Sequence, residues 1–272
     1  MSIIASQYIS IITATLLLVL AVTSIIRIKT NHFSLDQKGI PTSGFTFRDG
    51  AIGIFLILFY SLTPLSAAFS SHEAPPPLNL AQLVNNLILQ GIIGITILTR
   101  LLNHKIAPGV GWGNFRPLSA LPYIMLSIIT VLLMVSLMQY SGLAEWISRQ
   151  TQSSLYQDSI IALQNGPLPV KITLAITAAL FAPFVEEFGF RAYLYPMIKK
   201  ITGPLFACLT TSLLFGIVHM NLAMLIPLTL FGIILVFIYE KTKTIWVPIA
   251  AHVIFNSLTI INIFLLPALT QS

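Results

Sequence analysis

Long apolar runs separated by short polar stretches dominate the chain, and their lengths carry the first inference. Crossing ~30 Å of hydrocarbon takes about 20 apolar residues in a helix, and eight runs of roughly that length can be marked out: Tyr8–Ile26, Ala51–Ser70, Leu80–Leu102, Leu118–Ser141, Val170–Tyr195, Pro204–Asn221, Leu222–Tyr239 and Ile245–Leu266. Asn85, Asn86 and Gln90 interrupt the third, and Glu186, Glu187 and Arg191 sit inside the fifth. In the connection Gly142–Pro169, residues Leu143, Trp146, Ile147, Leu155 and Ile160 have the spacing of an amphipathic helix lying on the membrane surface. Arg27–Asp49 and the turn Ser71–Pro77, with Pro75, Pro76 and Pro77, read as ordinary loops. No internal repeat or low-complexity tract is visible. The two halves share no matching broken spans, which argues against an inverted-repeat transporter.

The expected fold is therefore all-α, a polytopic transmembrane helix bundle of about eight spans in the cell membrane. A chain that is 56% hydrophobic and 8% charged, with mean hydropathy +0.90, has no other obvious home. Arg27, Lys29, Lys38 and Arg48 fall in the first connection, Arg100, Lys105 and Arg116 flank the third, Lys199 and Lys200 lie in the fifth, and Lys241 and Lys243 in the seventh. Only Arg149 and Lys171 fall in the even connections, so the positive-inside rule places the odd ones in the cytoplasm and both termini outside. The first run has no preceding Lys or Arg and reads as a retained span, not a secretory signal. The net charge of +6 is scattered over separate loops, the opposite of a nucleic-acid footprint. A single cysteine, Cys208, precludes a disulfide within the chain. We expect one integral membrane domain, with anchoring spans and loops over residues 1–169 and the catalytic spans over residues 170–272.

The chemistry concentrates in that second part. An ionisable side chain at a bilayer centre costs about 2.5–3.5 kcal/mol on insertion scales, and this chain has only fourteen basic and eight acidic residues to distribute. Glu187 and Arg191 are four apart and share a helix face, so they can pair. Glu186 stands about 100° round the helix, free to face a cavity. His219 follows Phe215 by four, and His252 precedes Asn256 by four. An imidazole and a carboxamide can both stabilise an oxyanion. Each group taken alone also fits a structural role as interhelical hydrogen-bond glue; together they supply what water activation and oxyanion stabilisation require. Cys208 and Ser212 lie ~16 and ~10 Å along the axis from His219, too far to be its nucleophile, and neither G-x-S-x-G nor H-E-x-x-H occurs. Residue counting sets Glu186 ~14 Å, His219 ~22 Å and His252 ~11 Å from the ends of their spans, so the groups meet only if the helices tilt or start at different depths.

The series Glu186-Glu187-x-x-x-Arg191, Phe215-x-x-x-His219 and His252-x-x-x-Asn256 is similar to the three-motif signature of the CAAX-protease and bacteriocin-processing (CPBP, or Abi) family, which includes the Ras-converting CAAX endopeptidase. Phe190, the SLLFGIVH run ending at His219, and the TIWVPIAAHVIFN run ending at Asn256 belong to the same likeness, which covers about Ala178–Leu258. Ala192 departs from it, since members usually carry Gly after the Arg. The resemblance implies a glutamate-dependent intramembrane endopeptidase. In it Glu186 with His219 activates water, His252 and Asn256 stabilise the oxyanion, and Glu187, Arg191 and Phe215 support them. Its implied partners are membrane lipids and a peptide or protein substrate, membrane-embedded or lipidated. No cofactor is expected; the second reading is a zinc ion held by Glu186, His219 and His252. Alternatives are a proton-coupled transporter and a non-catalytic peptide-binding immunity protein.

Overall fold

The computed structural model describes residues 39–42, 44–46, 48–53, 55–56, 79–102, 106–112, 116–151 and 158–270. The expected span Tyr8–Ile26, most of Ala51–Ser70 and the Ser71–Pro77 turn lie outside the described residues. Among the described residues, eight helices of eight or more residues, named here in chain order, follow Asn79: α1 (Leu80–Leu101), α2 (Pro117–Tyr140), α3 (Leu143–Thr151), α4 (Asp158–Asn165), α5 (Leu168–Thr202), α6 (Pro204–Val218), α7 (Leu222–Thr242) and α8 (Trp246–Thr270). No strand occurs among the described residues. Helices α1, α2, α5, α7 and α8 are long and apolar enough to cross a membrane. Their outer faces are what lipid requires: Leu118 is 89% exposed, Leu137 69% and Ile95 65%, a display no water-facing surface sustains. This is a multi-pass membrane protein.

Local sequence explains the ends. Asn79 and Gln82 form a reciprocal capping box at the start of α1, with bonds of 2.9 and 3.0 Å. The expected surface helix in Gly142–Pro169 is present as two short helices: α3 rests on α2 and α7, and α4 on α5 and α8. Ala144 is buried in α3 while Trp146 stays exposed.

Helix α5 departs most from expectation. It contains two π-helical segments, Thr177–Phe181 and Phe188–Leu194, around a six-residue α segment, Ala182–Glu187. Each π segment ends two residues before a proline, Pro183 or Pro196. A proline within a helix removes one backbone donor and crowds the carbonyl four residues back. Widening the preceding turn to i→i+5 accommodates both effects. The Ala182 N–H accordingly donates to Thr177 O, and the Tyr195 N–H to Phe190 O.

Helix α6 is shorter than the expected Pro204–Asn221. It stops at Val218, Met220 takes a left-handed φ of 57°, and the Asn221 side chain then caps α7 by accepting from Met224 N at 3.0 Å. His219 thus stands at a helix end and not inside a span. Helices α6 and α7 approach closely because Gly216 and Gly232 face the partner. A Cβ on Gly216 would lie 3.0 Å from Leu225 O, and one on Gly232 would lie 2.9 Å from Ser212 Cα. The interior between them and α5 is filled by Phe190, Tyr195, Phe215, Phe231 and Tyr239.

The described end of Arg27–Asp49, expected to be an ordinary loop, is anchored instead. Glu240 Oε1 accepts from Tyr195 Oη at 2.7 Å and Lys199 Nζ at 2.6 Å. Its Oε2 accepts from Ile40 N at 2.9 Å and Lys243 Nζ at 3.2 Å. Asp49 Oδ1 accepts from Arg100 Nη2 at 2.7 Å and Tyr193 Oη at 3.1 Å, and its Oδ2 from Thr46 N and Oγ1, both at 2.7 Å. Lys200 Nζ donates to Phe45 O. Residues 39–49 are therefore stitched to the Lys199 end of α5, to α1 and to α7.

Candidate active site

The short α segment between the two π turns carries the paired glutamates. Glu187 is fully buried, and its Oε1 accepts from Arg191 Nη1 at 2.9 Å. The expected i,i+4 pair thus forms although the backbone there is π-helical. Arg191, 1% exposed, also lies over the Phe215 ring, 4.3 Å from its centroid, a contact that favours a desolvated guanidinium.

His252 on α8 joins this pair. Its Nδ1 lies 2.9 Å from the same Glu187 Oε1. A carboxylate ionised beside Arg191 can only accept, so Nδ1 donates. That leaves Nε2 as the working nitrogen, and it points toward Glu186 Oε2 at 3.9 Å. The imidazole is further held between Phe215 and Phe231, at centroid separations of 5.7 and 5.3 Å. Glu186 Oε2 is buried without a hydrogen-bond partner, as are Glu187 Oε2 and Arg191 Nη2. The separation from His252 is too long for a direct hydrogen bond, and fits a small group placed between the two.

His219 reaches the cluster through Phe215. Its Nδ1 donates to Phe215 O at 2.7 Å, which leaves Nε2 unprotonated or charged, and its ring packs 4.8 Å from the Phe215 ring. The two histidines that residue counting set at different depths therefore share one aromatic neighbour. On α8 one turn beyond His252, Asn256 Nδ2 donates to Ala178 O at 2.8 Å, in the first π segment of α5. Around the glutamates, Trp112 stacks on Phe188 at 5.4 Å, and Trp246 meets Trp112 and Phe184 edge-on. The Trp246 Nε1–H donates to Trp112 O at 2.7 Å. Nothing in the spacing of Trp112 pointed to the site; only its being an aromatic residue in a basic loop could have raised it.

Among the described residues no three His, Cys, Asp or Glu side chains come together as a metal-ligand group. The chemistry below is derived from side chains alone.

Residues 168–258, from the first residue of α5 into α8, match the family described as type II CAAX prenyl endopeptidase Rce1-like. Over this stretch the chain is similar to the Rce1-like family. The matching region holds Glu186, Glu187, Arg191, Phe215, His219, His252 and Asn256. The chain is 34% identical over 115 residues to the "Putative membrane peptidase YdiL" of Bacillus subtilis (strain 168), covering 42% of this chain and 44% of that relative. It is 33% identical over 66 residues to lysostaphin resistance protein A of Staphylococcus aureus (strain Newman), covering 24% of this chain and 16% of that relative. The chain thus spans less than half the length of these relatives. No solved structure matches it.

Proposed function

We propose that the protein is an intramembrane endopeptidase in which Glu186 activates water against a peptide carbonyl. The observation that carries this reading is the partnerless Glu186 Oε2, 3.9 Å from the Nε2 of an imidazole whose other nitrogen is fixed by the Glu187–Arg191 pair. Such a carboxylate takes a proton from water as the oxygen attacks the scissile carbon. The oxyanion is met by the Nε2–H groups of His252 and His219 in their imidazolium forms, whose Nδ1–H groups Glu187 and the Phe215 carbonyl hold. Protonated Glu186 then returns its proton to the leaving nitrogen, the C–N bond breaks, and the products are a carboxylate and an amine. Burial between Phe215 and Phe231 restricts the His252 ring to this one presentation.

The likeness to a CAAX prenyl endopeptidase family makes a prenylated C-terminal peptide the first substrate to offer, and an unmodified apolar peptide the second. The test is digestion of a peptide library, with and without a lipid anchor, by purified protein in lipid vesicles, read by mass spectrometry. Cleavage by the wild type, insensitive to chelator and absent in Glu186→Gln, is the expected result. Equal cleavage by Glu186→Gln overturns the mechanism. Peptide binding without cleavage would favour the immunity reading, to which the likeness to a lysostaphin resistance protein also points. Chelator sensitivity would return a metal to the site.

A further inference from the structure

The carboxamide of Asn256 serves the backbone of a helix 78 residues away in sequence. Its acceptor, Ala178 O, has lost both of its helical donors. In an α-helix that carbonyl would receive the Ala182 N–H, but Ala182 donates to Thr177 O because the turn is π-helical. The next donor along, the one a π turn would use, belongs to residue 183, which is a proline and has no N–H. A carbonyl left this way inside a membrane protein needs a donor from elsewhere, and Asn256 Nδ2 supplies it at 2.8 Å.

We propose that Asn256 is a positioning residue for Glu186: its amide substitutes for the N–H that Pro183 lacks, and so fixes the phase at which Ala182–Glu187 presents Glu186 to His252. The strut and the imidazole stand one turn apart on α8, which packs against both the first π segment and the α segment after it. One rigid helix therefore sets the two ends of the Glu186–His252 separation. This inference rests on the peptidase reading for its kinetic consequence, while its structural half stands on the missing donor alone. It gives Asn256 a role distinct from donating to the oxyanion.

The two roles separate in a double-mutant cycle. Pro183→Ala restores a backbone N–H within reach of Ala178 O, so the strut becomes redundant, whereas an oxyanion donor would still be needed. In the full chain in lipid vesicles, Asn256→Ala should lower kcat at least tenfold with little change in KM, and move the acidic limb of the pH–rate profile. In the Pro183→Ala background the same substitution should cost no more than about threefold. Asn256→Asp, which has no N–H when ionised, should follow Asn256→Ala in both backgrounds. An equal loss of kcat in both backgrounds overturns the proposal and assigns Asn256 to the oxyanion. Melting temperatures of the same proteins give a readout independent of cleavage. Asn256→Ala should lower the midpoint in the wild-type background and leave it unchanged with Pro183→Ala; additive shifts overturn the proposal. A wild type that cleaves nothing sinks the peptidase reading, and the melting cycle still decides the strut.

Discussion

Two pairs of carboxylates occupy opposite conditions in this molecule. At the Lys199 end of the bundle, each oxygen of Asp49 and Glu240 accepts from at least two donors. In the cluster on α5, Glu186 Oε2 and Glu187 Oε2 accept from none, although both are buried. Burial of a polar group without a partner costs free energy that a purely architectural carboxylate has no reason to incur. The saturated carboxylates hold the chain together; Glu186 and Glu187 each keep one buried oxygen unmatched. The difference teaches that in a membrane interior the charge itself is a weaker sign of function than an unmet hydrogen bond.

That contrast can be broken most directly at Glu186. Glu186→Gln should lower kcat by about 10²–10⁴-fold, the usual worth of a general base, while leaving the melting temperature at the wild-type value, because no bond to Oε2 is lost. A large fall in melting temperature would place Glu186 with the structural pair. Next comes Arg191→Met, which strands Glu187 as an uncompensated buried charge. Loss of one partner of such a pair costs about 3–5 kcal/mol, to be read in unfolding by denaturant; a stable variant would show that His252 alone can hold Glu187. Glu240→Gln should do the reverse of Glu186→Gln. It weakens charge-assisted bonds from Lys199 and Lys243, costing about 2–3 kcal/mol, yet kcat per folded molecule should be unchanged. A fall in kcat would mean that the anchored connection reaches the site.

The smallest effect is one of pH. Burial alone would raise the Asp49 carboxyl, but hydrogen bonds from Thr46, Arg100 and Tyr193 outweigh it and hold the group below its ordinary value. A lowered folded pKa means that the contribution is fully present above the unfolded value of about 4 and fades as pH falls through the folded one. Amide exchange across residues 39–49 should therefore accelerate only in acid. Asp49→Asn should be fast at every pH; an acid step that survives in Asp49→Asn would implicate another group.

Much of this was legible from the order of residues. Spans such as Leu80–Leu102 and Leu118–Ser141 follow from length and apolarity, and the Glu187–Arg191 pair from spacing by four. What stayed hidden has physical causes. A period of 3.6 has no place for a π turn, so Pro183 and Pro196 could be noted in α5 without revealing how the helix accommodates them. The Ile40–Glu240 bond joins residues 200 apart, and no local pattern signals such a contact. His219 was assigned to the inside of a span because Met220, a non-glycine residue in a left-handed conformation, gives no warning of a turn. The Asn256–Ala178 bond joins residues 78 apart, and again no local pattern signals it.

The wide turn at Thr177–Phe181 makes this part of α5 tolerant of length in a way that its apolar composition conceals. Deleting one residue there would let the helix close at its ordinary pitch with the flanking pieces nearly in phase, because an i→i+5 turn takes up one residue more over nearly the same rotation. The same deletion in a regular stretch of α5 would swivel the pieces by about 100°, and a glutamate aimed at an imidazole would then look elsewhere. Homologous proteins should accordingly place single-residue gaps in this stretch far more readily than in the regular turns beside it.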